Sequence, residues 1–259
     1  MNLLEAKTVQ SGAFRLMGEA LKEFLTDIII EWDETGGKII AMDPTHTVLV
    51  HLRLFADKFE VYNCSKKIKI GINMLNFFRI IKTITNNDTL TLFMNEENIN
   101  TLGIRIENAE KNLVTNYKLN LLDLNEDTIK IPPTTFDSVI TMPSTDFQKI
   151  CRDMYALSDI LEIKSMGQQL MFSCTGDFAS QETILGETNN GLKYVQNDNP
   201  SDIIQGIFSL KNLVLFTKCT NLSNTVELYL KNDYPLIIRY TVGSLGEIKL
   251  CLAPQTDTP

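Results

Sequence analysis

Two segments 136 positions apart share one pattern: residues 75–94 read LNFFRIIKTITNNDTLTLFM, and residues 211–230 read KNLVLFTKCTNLSNTVELYL. They align without a gap, and four aligned pairs are identical: Asn76 and Asn212, Lys82 and Lys218, Thr89 and Thr225, and Leu92 and Leu228. Upstream, SGAFRLMGEAL at 11–21 aligns with STDFQKICRDM at 144–154, at a spacing of 133. Because matches in the same order at nearly one spacing indicate an internal repeat, we expect two copies of one domain.

The composition is that of a folded chain. Of the 259 residues, 44% are hydrophobic and 22% are charged, which is enough apolar surface for two cores of about 130 residues each. The five cysteines form no CxxC pair, so free thiols are favoured over a disulfide framework or a zinc site. No apolar run approaches the roughly 20 residues of a membrane helix, and the N-terminus does not read as a signal peptide. We expect a soluble, intracellular protein with no membrane partner.

Each copy is predicted to contain two short helices and several strands. The first helix of each copy has apolar residues three or four positions apart: Phe14, Met17, Leu21 and Phe24 in one, and Phe147, Ile150, Cys151 and Met154 in the other. Ser144, after Pro143, is expected to cap the second of these helices. Apolar and polar residues alternate at 48–54, 102–107 and 226–231. Because this alternation is typical of antiparallel sheets with one solvated face, the sequence predicts an α+β fold.

Turns and a connector separate these elements. Thr35-Gly36-Gly37 and residues 189–191 carry turn signals. The segment 122–133, LDLNEDTIKIPP, is acidic, ends in two prolines and is too polar for a central strand. We therefore expect an N-terminal domain at 1–119, an extended connector at 120–135 and a C-terminal domain at 136–259.

Basic residues occur in pairs on all four predicted helices. The pairs are Arg15 and Lys22, Arg79 and Lys82, Lys149 and Arg152, and Lys211 and Lys218. Spacings of three or seven return each pair to one helix face, although the whole chain has a net charge of −8. Such a face would bind phosphates without regard to base sequence. A solvated helix surface gives the same pattern, so from the residues alone both interpretations stay open.

Patterns for catalysis or metal binding are incomplete. The segment 186–193, GETNNGLK, lacks the Gly-Lys-Ser/Thr ending of a P-loop. The segment 123–134 begins like a calcium loop, but Thr128 stands where that loop requires glycine. The two histidines, His46 and His51, have no HExxH motif and no nearby cysteine. The sequence predicts no catalytic residues, no metal site and no cofactor.

Several motifs recur together in one known family. They are the repeat itself, MDPTH at 42–46, the connector at 119–132, MPS at 142–144 followed by ICRD at 150–153, and LAP at 252–254. Together they resemble proliferating cell nuclear antigen, the eukaryotic and archaeal sliding clamp, over essentially the full length. The Ile- and Asn-rich composition, and Gly167 where cellular clamps carry a modified lysine, point to a divergent member such as a viral one.

The resemblance implies a duplicated processivity-clamp fold in which three identical subunits form a ring. Helices of six domains would line a hole for double-stranded DNA, and sheets would form the outer wall. The ring would bind a clamp loader and tether DNA polymerase and other replication and repair proteins, without enzymatic activity. It would act in the nucleus, or at a viral replication site in the cytoplasm. Two alternatives remain: a subunit of a heteromeric checkpoint ring, and a hydrolase on a duplicated scaffold.

The resemblance also assigns residues to three sites. The eight basic residues above fall where the family lines its hole, although Leu215 takes the place of Arg79 in the second repeat. A pocket for a short helical peptide with a Gln and apolar and aromatic anchors falls on Met42, His46, Leu49, Ile129, Ile131, Pro132, Pro235, Ala253 and Pro254. Strand pairing between subunits falls on Leu113 and Tyr117 of one copy and Thr183, Ile184 and Leu185 of the next.

Overall fold

The computed structural model describes residues 2–125, 129, 131–198 and 201–255. Four residues of the predicted connector, Glu126 to Thr128 and Lys130, lie outside the described residues. The chain divides into two compact units. Unit 1 comprises Met1–Pro44, Val50–Lys130 and Thr241–Ile248, and unit 2 comprises Thr45–Leu49, Ile131–Tyr240 and Lys249–Pro259. Residues 45–49 therefore belong to unit 2 although the segments on either side belong to unit 1, and residues 241–248 belong to unit 1 although their flanking segments belong to unit 2. Within the described ranges, no helix has the length and apolar character needed to cross a membrane.

Unit 1 contains two helices, α1 (Ser11–Phe24) and α2 (Met74–Ile81), and a 3₁₀ turn at Ala56–Lys58. Its strands are β1 (Asn2–Thr8), β2 (Asp27–Asp33), β3 (Gly36–Met42), most of β4 (Val48–Phe55), β5 (Val61–Cys64), β6 (Ile68–Asn73), β7 (Thr89–Asn95), β8 (Asn98–Asn108) and β9 (Leu113–Asn120). Five strands form an antiparallel sheet in the order β5-β1-β7-β8-β9. Strands β6, β2, β3 and β4 are neighbours, in that order, in a second sheet.

Unit 2 contains helices α3 (Ser144–Tyr155) and α4 (Leu210–Phe216), and a 3₁₀ segment at Thr217–Leu222. Its strands are β10 (Ser138–Pro143), β11 (Ile160–Met166), β12 (Gln169–Thr175), β13 (Ser180–Gly186), β14 (Lys193–Asn197), β15 (Ile204–Ser209), β16 (Thr225–Leu230) and parts of β17 (Leu236–Val242) and β18 (Gly246–Leu252). One sheet has the order β13-β12-β11-β15. Strands β14, β10, β16 and β17 are neighbours in another.

The helices of both units bury the faces that the sequence predicts. All eight apolar residues named for the two first helices are buried. In unit 1, the rings of Phe14 and Phe77 meet edge to face with centroids 6.2 Å apart, and in unit 2 those of Phe147 and Phe172 lie 6.3 Å apart. Full burial of one such side chain contributes about 1.5–3 kcal/mol. The predicted duplicated α+β fold, with short helices packed on antiparallel sheets, is confirmed.

Ser144 is not the helix cap that the sequence predicts. It is the first residue of α3, and its buried hydroxyl donates to the carbonyls of Ser223, at 2.5 Å, and Thr220, at 3.4 Å. Ser11 does the same in unit 1: its hydroxyl donates to the carbonyls of Asp88, at 2.6 Å, and of the nearby Thr85. Each unit thus uses one buried serine to join the start of its first helix to the turn after its second.

That turn differs between the units. In unit 1, the buried Asp88 carboxylate accepts hydrogen bonds from the Thr85 amide, at 2.7 Å, and from Asn108 Nδ2, at 2.6 Å. Burial alone would raise the pKa of Asp88, but these hydrogen bonds outweigh it and hold the pKa below its usual value. The aligned residue in unit 2 is the exposed Asn224, which has no charge to stabilise.

The segment 241–248 is fixed to unit 1 by paired hydrogen bonds. Gln10 Nε2 donates to Ser244 Oγ at 2.7 Å, and the Ser244 amide donates back to Gln10 Oε1 at 2.9 Å. The Phe55 amide donates to the Leu245 carbonyl at 2.9 Å. Gly243 has a φ of +55°, and a Cβ there would lie 2.7 Å from Gln10 Oε1, so glycine is required at this turn.

The turn predicted at 35–37 starts earlier than expected. Glu34 and Thr35 form the turn, and Gly36 already begins β3. A Cβ on Gly36 would lie 1.9 Å from the Leu54 carbonyl oxygen, and its φ of +131° is also one that other residues avoid. This glycine therefore permits close approach of two backbones as well as a change of direction.

Candidate functional site

Helix α1 holds its two basic side chains against its own carboxylates. Arg15 Nη1 lies 3.8 Å from Glu19 Oε2, one turn further along the helix. Lys22 pairs with Glu23, and its ammonium also lies 5.2 Å from the centre of the Phe78 ring. Pairs between a half-buried basic side chain and an exposed or half-exposed carboxylate are individually weak, but they offset the positive charge locally. The α1 face is therefore less available to an anion than its basic residues suggest.

Helix α2 presents its basic side chains to solvent. Asn73 caps the helix by accepting from the Asn76 amide at 3.0 Å, which fixes its start. Arg79 is exposed, and its guanidinium makes a 3.3 Å hydrogen bond to Asn76 Oδ1. Lys82 is also exposed, directly after the helix ends. Neither has a carboxylate partner among the described residues, so both charges remain available.

The four basic residues that the sequence assigns to the helices of unit 2 are exposed as well. Lys149 and Arg152 lie on the side of α3 opposite its buried apolar face. Lys211 is at the start of α4. In the part of unit 2 that the structure describes, no ion pair involves these residues or Lys218, which leaves four cations able to bind an anion.

The sequence predicts that Lys211 and Lys218 share one helix, and this prediction is wrong. Helix α4 ends at Phe216, and Lys218 lies in the 3₁₀ segment. With three residues per turn instead of 3.6, the angle between the two side chains differs from that on a continuous α-helix. Leu215, aligned with Arg79, is half-buried and apolar. The second helical region of unit 2 thus presents its two cations on two different elements.

All five residues assigned to subunit contact lie on edge strands. Leu113 and Tyr117 are in β9, the last strand of the five-stranded sheet, and Leu113 is 54% exposed. Thr183, Ile184 and Leu185 are in β13, the last strand of its four-stranded sheet. Each edge presents backbone groups without a neighbouring strand among the described residues, which is a suitable template for pairing.

The predicted pocket residues of unit 2 lie at the surface or half-buried. His46 has a positive φ of 57°, and the Ala253 amide donates to the Thr47 carbonyl at 3.4 Å, which joins 45–49 to the C-terminal segment. Ile131 is 40% exposed. The remaining unit 2 members are Leu49, Pro132, Pro235 and Pro254. Exposed apolar side chains such as Ile131 fit an apolar ligand better than a charged one.

Unit 1 contributes Met42 and Ile129 to the predicted pocket set. Met42, the last residue of β3, is 37% exposed, and Ile129 is half-buried. The start of the connector is anchored in the same unit, because the Leu122 amide donates to the Gly71 carbonyl at 2.8 Å. A Cβ at Gly71 would lie 2.2 Å from the Leu122 carbonyl oxygen, so this anchoring depends on glycine.

An aromatic cluster that the sequence analysis missed anchors the other end of the connector. The Phe136 ring meets those of Tyr229 and Tyr234 edge to face, at centroid distances of 5.4 and 5.7 Å. The hydroxyls of Thr134 and Tyr234 lie 2.7 Å apart. A phenylalanine just after a proline-rich connector is the one local signal. Its partners lie nearly a hundred positions away, beyond the reach of periodicity.

The His, Cys, Asp and Glu side chains of the described chain are not grouped as metal ligands, and three of its cysteine thiols have raised pKa values. No group of three or more His, Cys, Asp or Glu side chains in these ranges is arranged to hold a metal ion. Burial raises the pKa of the Cys151 thiol, that of Cys219 to about 12 and that of Cys251 to about 11. Because the thiolate is the reactive form, these cysteines are poor nucleophiles at neutral pH.

Comparison with known proteins agrees with this arrangement. Residues 3–129 match the N-terminal domain of proliferating cell nuclear antigen, and residues 130–255 match its C-terminal domain. The chain is 36% identical over 256 residues, 97% of each sequence, to a protein of Paramecium bursaria Chlorella virus 1 named "Probable DNA polymerase sliding clamp 1". It is 31% identical over 259 residues, 98% of each sequence, to the proliferating cell nuclear antigen of Chaetomium thermophilum.

A solved structure has the same fold over the whole length. The crystal structure of proliferating cellular nuclear antigen from Entamoeba histolytica matches with a TM-score of 0.90 and 26% identity, covering 99% of this chain and 100% of that one. The duplicated fold, the two domain matches and the full-length relatives lead to one conclusion: the chain belongs to the proliferating cell nuclear antigen family.

Proposed function

We propose that this chain is a DNA polymerase sliding clamp, in which three copies form a ring around duplex DNA and tether a polymerase to it. The family membership and the name of the viral relative support this function. The ring would serve as a scaffold and not as a catalyst. It would act where DNA is replicated, in the nucleus or at a viral replication site.

The exposed cations on the helical elements are the observation that carries the proposal. Six of them have no carboxylate partner in the described chain: Arg79, Lys82, Lys149, Arg152, Lys211 and Lys218. Lys and Arg side chains neutralise phosphates and release counterions whatever the base sequence. In a chain with a net charge of −8, such cations give weak contact with enclosed DNA and little attraction for DNA elsewhere.

The two free edges support self-assembly into a ring. The β9 edge belongs to unit 1 and the β13 edge to unit 2, so pairing them joins two different surfaces. Such head-to-tail contacts generate a closed ring when the rotation between copies closes. The proposed assembly is a homotrimer of chains with domains at 1–119 and 136–259, joined by a connector at 120–135.

Partner proteins would bind through the apolar pocket set. A short amphipathic helix with a Gln and apolar and aromatic anchors would dock on Met42, Ile129, Ile131 and the neighbouring prolines. The proposed partners are a DNA polymerase, a clamp loader and other replication and repair proteins. The aromatic cluster at Phe136 would hold the connector in place for this contact.

Two measurements test the function. Light scattering after gel filtration should give three times the 29.3 kDa chain mass, whereas a monomer at every concentration would favour a heteromeric ring.

In a processivity assay on primed circular DNA, the chain should lengthen polymerase products. Reversal of Arg79, Lys82, Lys149 and Arg152 to Glu should abolish this effect while the trimer persists. The matched control reverses four exposed lysines outside α1–α4 and the 3₁₀ segment at 217–222: Lys58, Lys66, Lys111 and Lys193. Equal loss in both variants would contradict the proposed DNA-facing surface.

A further inference from the structure

The two edge strands each carry a single charged side chain, and the charges are opposite. Strand β9, LVTNYKLN, has only Lys118, and strand β13, SQETILG, has only Glu182. Both side chains are exposed, and Lys118 borders an open cavity of about 350 Å³. No ion pair or side-chain hydrogen bond joins either of them to another described residue. Each edge therefore presents one charge that is not neutralised within its own unit.

The registers of the sheets place both charges on the solvent face. Tyr117 lies opposite Ile104, which is buried, so Tyr117 is on the core face of its sheet and Lys118 is on the other. Likewise, Thr183 lies opposite the buried Phe172, which puts Glu182 on the solvent face. If the two strands extend one sheet into the next, Lys118 and Glu182 lie on the same side.

We propose that Lys118 of one copy pairs with Glu182 of the next and thereby sets the register of antiparallel pairing between β9 and β13. This inference rests on the proposed homotrimeric ring. Directly opposite residues in an antiparallel pair are close enough for opposite charges to attract. With Lys118 opposite Glu182, Tyr117 comes opposite Thr183, and every residue of β13 gains a partner in 114–120. Both core faces then stay aligned, whereas a slip of one residue would exchange them.

The exposed apolar residues beyond the strands favour the same register. Phe178, in the turn before β13, is 78% exposed, and Leu122, after β9, is 39% exposed. Antiparallel pairing in this register brings that turn toward Leu122, so that two exposed apolar side chains cover each other. A slip of two residues keeps the faces aligned but puts Ser180 or Ile184 opposite Lys118. Parallel pairing through the same ion pair leaves residues at the end of β13 without partners.

Charge exchange tests the ion pair. Lys118→Glu and Glu182→Lys should each raise the concentration at which half of the chains are trimeric by about tenfold, because like charges then face each other. The double variant should return to the wild-type concentration. Lys111→Glu, which changes an exposed lysine just before β9, is the matched control and should behave as wild type. Single variants without effect, or a double variant no better than either single one, would overturn the pairing.

Cysteine pairs test the register independently. In this register, Asn120→Cys on one copy lies opposite Ser180→Cys on the next, so the double variant should form a covalent trimer under mild oxidation. Asn116→Cys with Ser180→Cys would be opposite only in the parallel arrangement and should crosslink poorly. The reverse result would refute the antiparallel register.

Failure of the inference differs from failure of the proposed function. A wild-type chain that is monomeric at every concentration would contradict both. If the wild-type trimer supports processive synthesis but the charge-exchange variants do not behave as expected, only the proposed ion pair is wrong.

Discussion

Helices α1 and α3 occupy the same place in the two units but expose different charges. Each buries an apolar face, and each carries two basic and two acidic residues. In α1, Glu19 and Glu23 pair with the basic side chains, whereas Lys149 and Arg152 of α3 have no such partner in the described chain. Helices of equal net charge therefore differ in the cations they offer to a ligand. Local pairing therefore decides which of these cations remain available to an anion.

The first test of the comparison asks whether both units form the partner pocket, and it should give the largest effect. Ile129→Asp in unit 1 and Ile131→Asp in unit 2 should each raise the Kd of a partner peptide by at least about thirtyfold, because a carboxylate would replace an apolar side chain in the proposed pocket. Calorimetry with a peptide carrying a Gln and apolar and aromatic anchors measures the Kd. Ile203→Asp, at a 48% exposed position elsewhere in unit 2, should bind normally. If one of these two variants binds the peptide as tightly as the wild type, the unit that contains the substituted residue does not contribute it to the pocket.

The second test compares the two helices directly. Reversal of Lys149 and Arg152 to Glu should reduce the slope of log affinity against log salt by about two per subunit, since each phosphate contact contributes about one. Reversal of Arg15 and Lys22 should reduce it by less than about one, because their charges are already offset. Fluorescence anisotropy of labelled duplex DNA over a salt series measures both slopes. Equal reductions would show that the ion pairs of α1 open on binding.

The third test addresses a feature that the units share. Ser11→Ala and Ser144→Ala should each lower the free energy of unfolding by about 1–3 kcal/mol, because each removes a buried hydroxyl that donates to two backbone carbonyls. Urea denaturation followed by circular dichroism measures the loss. Thr145→Ala changes an exposed neighbour of Ser144 and should stay within about 0.5 kcal/mol of wild type. A loss at only one serine would mean that the units do not depend equally on this contact.

The fourth test sharpens the difference at the turn, and it should give the smallest effect. The pKa of Asp88 is lower in the folded chain than the unfolded value of about 3.9. Its contribution to stability is therefore fully present above about pH 3.9 and is lost as the pH falls through the lower folded-state pKa. Asp88→Asn should flatten the fall of the urea midpoint in that acid range. Asn224→Asp in unit 2, where the position is exposed, should leave the acid profile unchanged.

The repeat and the alternation of apolar residues were enough to predict the fold. They place α1 and α3 correctly, because buried residues recur at helical spacing, and they identify the strands around β4, β8 and β16. The resemblance to a known family then supplied the pocket and edge residues. Their exposure and edge positions suit those roles, while the roles themselves remain predictions.

Other features depend on contacts that a linear pattern does not encode. Lys211 and Lys218 keep helical spacing in sequence although the chain changes from α-helix to 3₁₀ between them. The role of Ser144 depends on carbonyls that are more than seventy residues away. Whether Arg15 is free or paired depends on side-chain conformation, since Glu19 is available at the same spacing in either case.

The placement of 241–248 has a consequence for truncation. A gene fragment that stops near the connector would encode α1, α2 and β1–β9 but would omit the residues that bond Gln10 and Phe55. Expressed alone, such a half would expose those backbone and side-chain groups to water. Independent production of the N-terminal half should therefore require a circularly permuted chain in which residues 241–248 are linked back to it. Limited proteolysis near residue 240 should likewise destabilise the N-terminal half, although the cut lies more than a hundred residues beyond it in sequence.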